Sequence, residues 1–328
     1  MFKKIRSLKN RLYRWIYNSI IIGKKLFEFE KRDIDLSYDM ALDWIKKNTI
    51  PGKGIISNSR DSKKCHLEVT GYLIPTLLDA KEFNLAKQYA QFLSKVQNTN
   101  GSFTGPGGGK EYVFDSSQVL KGFLVASKIW PQFKPFAKKT ADYIISLAKK
   151  NGQIPSMYEG ITENIHVFML PSLMSASKVL GDEKYANIAR KSLNYYKNVP
   201  NILDSRLITH DLAYIIDGFI DMGEEDFILD IIKEIFSHQS ENGKIPAYPN
   251  VSWSCSTGIA QFAVIAYKLG MNNEASKALN YLCKIQNKSG GFYGSLGILG
   301  SYFNEMEIGW TNKFFMDAVH LRNTGKNK

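Results

Sequence analysis

Two kinds of apolar pattern alternate between residues 36 and 321 of the chain. In the first, apolar residues occupy one stripe and charged residues the rest: 36–48, 84–97, 134–149, 182–197, 225–239 and 273–286. Ala141-Asp142-Tyr143-Ile144-Ile145-Ser146-Leu147 is an example, and it is the pattern of a helix with one face in the core. The second kind is apolar nearly all round and rich in small residues: 68–80, 115–129, 164–180, 210–222, 256–269 and 309–321. Ile259-Ala260-Gln261-Phe262-Ala263-Val264-Ile265-Ala266 is the clearest case, and a helix apolar on every side is buried on every side. Six one-sided and six buried segments in alternation predict an all-α fold, an (α/α)6 toroid, with the buried set as the inner ring. Links from inner to outer segments are short. Gly181 and Gly270 in them suit the left-handed residue that ends many helices. Links from outer to inner segments are long: 98–114, 151–163, 198–209, 240–255 and 287–308. Loops longer than about 12 residues in a compact domain are usually functional. The site is therefore expected at the mouth that collects these loops and the N-termini of the inner helices.

A second periodicity supports this reading. Gln97-Asn98-Thr99-Asn100-Gly101-Ser102-Phe103 returns as Gln286-Asn287-Lys288-Ser289-Gly290-Gly291-Phe292. Weaker copies are Gln239–Ile245 and Lys150–Ile154, and Gly52-Lys53-Gly54-Ile55 reads as a fifth. A spacing of about 40–50 residues is a repeat signal. The motif Gln-x-x-x-Gly-x-Phe resembles the QW-type repeat of squalene and terpene cyclases, whose toroid the protein prenyltransferase β-subunits share. In such a motif the Gln is expected to tie a helix end to the next loop, the Gly to make the turn, and the Phe to pack beneath it.

The chemistry motifs of those families are missing. There is no Asp-x-Asp-Asp acid and no Asp-x-Cys with a distant His. Trp253–Gly258 faintly resembles the zinc cysteine motif of lanthionine cyclases, but the partner Cys-His order differs. Cys255-Ser256-Thr257-Gly258-Ile259-Ala260-Gln261 is similar to an element that opens an inner helix in toroid proteins of bacterial surface-polysaccharide gene clusters. Toroids of this shape also occur among glycosidases, polysaccharide lyases and sugar epimerases. The resemblance implies a carbohydrate-active enzyme, glycoside hydrolase- or lyase-like, acting on surface glycan or its lipid-linked precursor. A terpene- or prenyl-handling protein and a non-catalytic glycan-binding or assembly protein are the alternatives.

Polar residues recur where the inner segments begin, which gives the candidate chemistry. His66, Glu68, Asp115, Glu163, His166, His210, Asp211 and Glu307 are the expected catalytic set. Carboxylates facing across a cavity can divide into acid and base, and a His can take a proton from a sugar carbon. Tyr112, Tyr158, Arg206, Tyr248, Trp253, Cys255, Gln261, Tyr293 and Trp310 are expected to bind substrate, since aromatic faces suit sugar rings. Each has a plainer role open to it. Asp115-x-x-Gln118 has the form of a capping box, Thr209 could cap the fourth inner helix, and His166 and His210 could be hydrogen-bonded core residues. Cys65, His66 and Cys255 lack the close spacing of a zinc site, so no metal and no other cofactor is expected. The Gly105–Lys110 loop lacks the Gly-Lys-Ser/Thr ending of a phosphate loop.

Charge changes the picture mainly at the ends. The chain of 328 residues carries +12, but residues 1–34 hold ten Lys/Arg against three Asp/Glu, and 322–328 add +3. The body is left with only +2, which argues against nucleic acid as a partner. Residues 2–22 read as a basic amphipathic helix, with Ile5, Leu8, Leu12, Trp15, Ile16 and Ile20 on one side, suited to an anionic membrane surface. Packing on the domain or on a second subunit is the competing account. Ile20-Ile21-Ile22 is too short to span a bilayer. Three widely spaced cysteines argue for a reducing compartment. The expected organisation is an arm at 1–34, a toroid at 35–322 and a basic tail at 323–328. Its expected location is cytoplasmic, peripheral on the inner face of the membrane.

Overall fold

Both apolar patterns become helices in the computed structural model, which describes residues 32–105, 108–155 and 163–325. The one-sided set forms α1 (Ile34–Lys47), α3 (Phe83–Val96), α5 (Lys134–Ser146), α7 (Lys184–Lys197), α9 (Glu225–Ser237) and α11 (Asn272–Ile285). The apolar set forms α2 (Leu67–Asp79), α4 (Val113–Ile129), α6 (Leu170–Leu180), α8 (Thr209–Asp221), α10 (Ser256–Lys268) and α12 (Gly309–Thr324). Burial follows the pattern. In α3 only Ala86, Tyr89, Ala90 and Leu93 are buried, one stripe at helical spacing, whereas in α10 every residue from Ser256 to Ala266 is. Each large apolar side chain so buried contributes about 1.5–3 kcal/mol.

Strands are few among the described residues. β1 (Ile56–Asn58) pairs antiparallel with β2 (Asp61–Cys65), and β3 (Ser254–Cys255) with β4 (Ser295–Leu296). The third apolar segment departs from expectation. Residues Glu163–Met169 form a 3-10 turn, and the α-helix starts only at Leu170, with Pro171 in its first turn. Proline suits that position because its missing N–H would have no helical partner.

The chain divides into two compact units, residues 48–204 with 214–229, and residues 32–47 with 205–213 and 230–325. In the first, α2 packs on α3 and α4, α4 on α5 and α6, and α6 on α7. Gly71 and Gly122 set the α2–α4 distance: a Cβ on Gly122 would lie 2.3 Å from the Gly71 carbonyl oxygen. In the second, α10 packs on α11 and α12, and both α11 and α12 pack on α1, so the last helices meet the first.

The repeated motif supplies the joints between successive one-sided helices. Gln97 Nε2 donates to the Gly101 carbonyl of its own turn, to the Phe136 carbonyl and to Thr140 Oγ1. Gln239 Nε2 donates to the Gly243 and Glu274 carbonyls, and Gln286 Nε2 to those of Gly290 and Ser37. The glutamine therefore reaches past its own loop to the next one-sided helix, not only to the loop as expected. Four residues further along, the motif glycine lies against the same helix. A Cβ on Gly101, Gly243 or Gly290 would meet the carbonyl of Lys139, Lys277 or Met40 at 2.2, 1.8 or 2.0 Å, and all three glycines have φ near +90°. Phe103, Ile245 and Phe292 fill the space beneath. The expected fifth copy is different: Gly52 has nothing near its Cβ position, and no motif glutamine precedes it.

Gly290→Ala should accordingly be severe. Gly270 shares a positive φ of +72° but its Cβ position is open, so Gly270→Ala should cost only the left-handed strain, about 1–2 kcal/mol. Gly290→Ala adds displacement of the α1 backbone and should exceed about 3 kcal/mol. Urea unfolding of both variants measures the difference, and equal losses would show that the α1 contact carries no weight.

Candidate active site

The second unit gathers seven of the expected residues around the first turn of α8. The Leu212 amide bonds the Ile208 carbonyl, so the helix begins after Ile208 and Thr209 is not its cap. Thr209 instead gives its amide to the Ala247 carbonyl, and the Ala247 amide goes to the Trp253 carbonyl, which fastens loop 240–253 to the helix start. Gly258 brings α10 alongside, since a Cβ there would sit 2.4 Å from Thr209 Oγ1. His210 Nδ1 consequently lies 2.8 Å from Gln261 Oε1. The β3–β4 pair and a bridge between Tyr293 and Glu307 brace the long 287–308 loop against this corner. That loop places the Tyr302 ring 5.4 Å from the His210 ring, with Trp310 Nε1 donating to the Tyr302 hydroxyl at 3.0 Å. Tyr248 meets Trp253 edge-on at 5.7 Å, over Cys255 and Ala247.

Burial sets the charge states here. It pushes the Asp211 carboxyl above the ordinary aspartate value, against the pull of nearby His210. It pushes the His210 imidazole down, although Asp211 and the Gln261 hydrogen bond act the other way. The Cys255 thiol is pushed up to about 12, chiefly by burial. The corner therefore joins a carboxyl with raised proton affinity to an imidazole held neutral, beside two half-buried tyrosines, Tyr248 and Tyr302. Such a pair can donate one proton and accept another. Asp211 is half-buried and open to a ligand, and among the described residues its carboxyl makes no hydrogen bond or ion pair.

Several expected ligand contacts are corrected by burial. Cys255 is fully buried and Gln261 nearly so, so neither presents a surface to substrate. Trp253 and Trp310 are buried as well and back the tyrosines rather than facing solvent. Tyr302, half-buried, takes the aromatic role that the sequence assigned to those tryptophans. Arg206 is exposed in the link before α8.

The first unit holds the other candidates. His66 precedes α2 without capping it, and its Nδ1 lies 4.0 Å from Glu68 Oε2. Burial nonetheless holds His66 down at about 4. Asp115 is fully buried inside α4, which begins two residues earlier than expected with Tyr112 at its cap position, so the Asp115–Gln118 capping box does not form. His166 is fully buried in the 3-10 turn, with Nδ1 donating to the Ile154 carbonyl at 2.9 Å and its ring stacked near Phe114. It is a core histidine, held by burial at about 4. Tyr112 is half-buried beneath Gly105, whose missing side chain makes room for its ring. Tyr158 lies outside the described residues.

Three carboxylates before apolar helices turn out to brace loops. Glu307 accepts from Trp44 Nε1 at 2.7 Å, Asn287 Nδ2 at 2.6 Å and Ser289 Oγ. Glu163 accepts from Gln153 Nε2 and the Tyr195 hydroxyl, and Glu111 from Asn98 and Asn100. Their oxygens are engaged by the donors of the repeat turns, which accounts for their place without catalysis. Tyr293 stands half-buried beside Glu307 in the same loop.

One charged pair escaped the sequence reading. Lys313 Nζ lies 2.8 Å from Asp317 Oδ2, both nearly buried within α12, and 3.8 Å from the Phe314 ring centroid. The i,i+4 spacing was visible, but the surrounding small and apolar residues concealed it. A cavity of about 450 Å3 lined by Tyr267, Asn272, Ser276 and Arg322 lies at the far ends of α10 and α12, away from His210.

No protein-family model and no curated protein sequence matches this chain. Solved structures do match it over nearly its whole length. An alpha-amylase from Clostridium perfringens shares 18% identity at a TM-score of 0.69, covering 87% of this chain and 97% of its own. An unsaturated glucuronyl hydrolase specific for heparin shares 14% identity at 0.68, covering 89% and 98%. A D-mannose isomerase shares 14% identity at 0.61, covering 89% and 97%. At these identities the likeness concerns shape, and with the twelve alternating helices it establishes the fold as an all-α (α/α)6 toroid.

Proposed function

We propose that this toroid is a carbohydrate-active enzyme that cleaves a glycan, with Asp211 as proton donor and His210 as proton acceptor. The carrying observation is the half-buried Asp211 carboxyl of raised proton affinity beside a neutral imidazole. A glycosidic oxygen needs a proton as it leaves, and a carboxyl whose proton affinity is raised by burial is the group suited to supply it. Tyr248 and Tyr302 give the apolar faces that a sugar ring stacks on. Two of the three neighbours described above are named for glycan cleavage and one for a sugar isomerase, in keeping with this class of substrate.

The finer reading is a bacterial surface glycan or its lipid-linked precursor. It rests on the Cys255–Gln261 resemblance and on the basic residues 2–22, which lie outside the described residues. Incubation of the full chain with a panel of such glycans, followed by reducing-end and mass analysis, tests the function. Hydrolysis should appear as a new reducing end with one water added. An unsaturated product would identify a lyase, and no cleavage of any glycan would remove the reading. The membrane arm has its own test. The full chain should sediment with phosphatidylglycerol liposomes, and deletion of residues 1–31 should abolish this without unfolding the body. Equal sedimentation of both forms would show that the arm is not the anchor.

A further inference from the structure

We infer that Gln261 is a positioning residue: through one hydrogen bond it fixes the His210 ring so that Nε2 is the nitrogen presented for proton transfer. This goes beyond the proposed function but rests on it for the catalytic consequence. The argument starts from what Gln261 costs. It lies in a run of α10 that is buried from Ser256 to Ala266, and the side chain is 2% exposed. Its Nε2 is buried without a hydrogen-bond partner. A buried orphan donor is destabilising, and a leucine or methionine would fill the same volume without one. Packing therefore does not explain the amide.

The bond that it makes does. Gln261 Oε1 can only accept, so His210 Nδ1, 2.8 Å away, must carry the proton. In the neutral ring Nε2 is then the lone-pair nitrogen. The choice of an amide over a carboxylate matters as well. A carboxylate at this distance would stabilise the imidazolium, whereas the amide orients the ring and leaves it neutral. The groups around the ring fit this division. Asp211 comes from the same helix and Tyr302 from loop 287–308. Tyr248 from loop 240–253 and Cys255 from the start of α10 surround Asp211 in turn. Asp211 is thus the acidic neighbour, and Gln261 is the neutral one that sets direction.

The experiment uses the full chain with 15N-labelled histidine, in wild type, Gln261→Glu and Gln261→Leu. Wild-type His210 should show the Nδ1–H tautomer. In Gln261→Glu, which preserves shape, the His210 titration should move up by about one pH unit or more, as expected for a new carboxylate in contact. The acid limb of kcat/KM on a cleaved glycan should move with it. In Gln261→Leu, kcat should fall roughly 10- to 100-fold, the range for orienting partners of functional histidines, with KM little changed. An Nε2–H tautomer in wild type, or an unmoved titration in Gln261→Glu, overturns the inference. So does a shifted titration with an unchanged pH profile and kcat, which would make Gln261 a packing residue. If wild type cleaves no glycan, the proposed function fails while the tautomer and titration still decide whether Gln261 controls His210.

Discussion

Asp211→Asn is expected to lower kcat by roughly 10²–10⁴-fold, the usual contribution of a positioned proton donor, while leaving the fold as stable or more so. The two halves of this result have one cause. The carboxyl is desolvated, which raises its proton affinity and suits it to donate, and the same desolvation makes its ionised form unfavourable in the native state. Because the folded value lies above the unfolded one, Asp211 favours folding at low pH and opposes it as pH rises. At pH 7 the wild type therefore carries a penalty that the isosteric amide lacks. The melting temperature of Asp211→Asn should equal or exceed that of wild type at pH 7, and the gap should close below about pH 4, where the unfolded aspartate is protonated as well. Activity and stability then move in opposite directions, as strained functional sites require. A variant that melts lower at pH 7 and still cleaves glycan would show that Asp211 is a structural acid.

How much of this was legible in the sequence depends on the range of the interactions. All twelve helices were visible, because hydrophobic periodicity reports on a helix's own surroundings turn by turn. The corner at His210 and Asp211 was visible in part, since both stand at the start of an apolar segment. The role of the repeat glutamine was not. Gln97, Gln239 and Gln286 bond residues that lie 35 or more positions further along, or, for Ser37, 249 residues back, and no local pattern reveals such a partner. Glu163 and Glu307 misled for the opposite reason. A loop brace and a catalytic acid call for the same residue at the same place, and only the three donors around Glu307 separate them. His166 was read as the first turn of a helix because its apolar neighbours Val167 and Phe168 continue the pattern. The chain instead tightens into a 3-10 turn there, which buries the ring outright. The Lys313–Asp317 pair shows a further limit, since a buried ion pair is detectable from spacing only once burial is known.

Acid should unfold this protein well before its carboxylates are titrated. His66 and His166 are both buried and both held near 4, against an ordinary value near 6.5. Burial is the main cause in each. For His66 it prevails over Glu68 at 4.0 Å, which would favour the charged ring. The native state therefore refuses protons that the unfolded chain accepts, so the stabilising contribution is full above pH 6.5 and is lost as pH falls from there toward 4. By pH 4.5 the two sites together cost roughly 5 kcal/mol, the integral of that difference in proton binding. A domain has about 5–15 kcal/mol in total, so this loss alone brings it close to unfolding. His210, also pushed down, adds to the effect, and Asp211, pushed up, opposes it with one group against three. Urea unfolding between pH 7 and pH 4.5 should show stability falling steadily with a slope of two to three protons. His166→Gln can still donate toward the Ile154 carbonyl but cannot titrate, so it should be less stable at pH 7 and have a slope shallower by about one proton. Stability that stays level between pH 7 and pH 5, or an unchanged slope in His166→Gln, would mean that the buried rings take up protons without opening the structure. The acid sensitivity would then have to be assigned to the carboxylates that brace the loops.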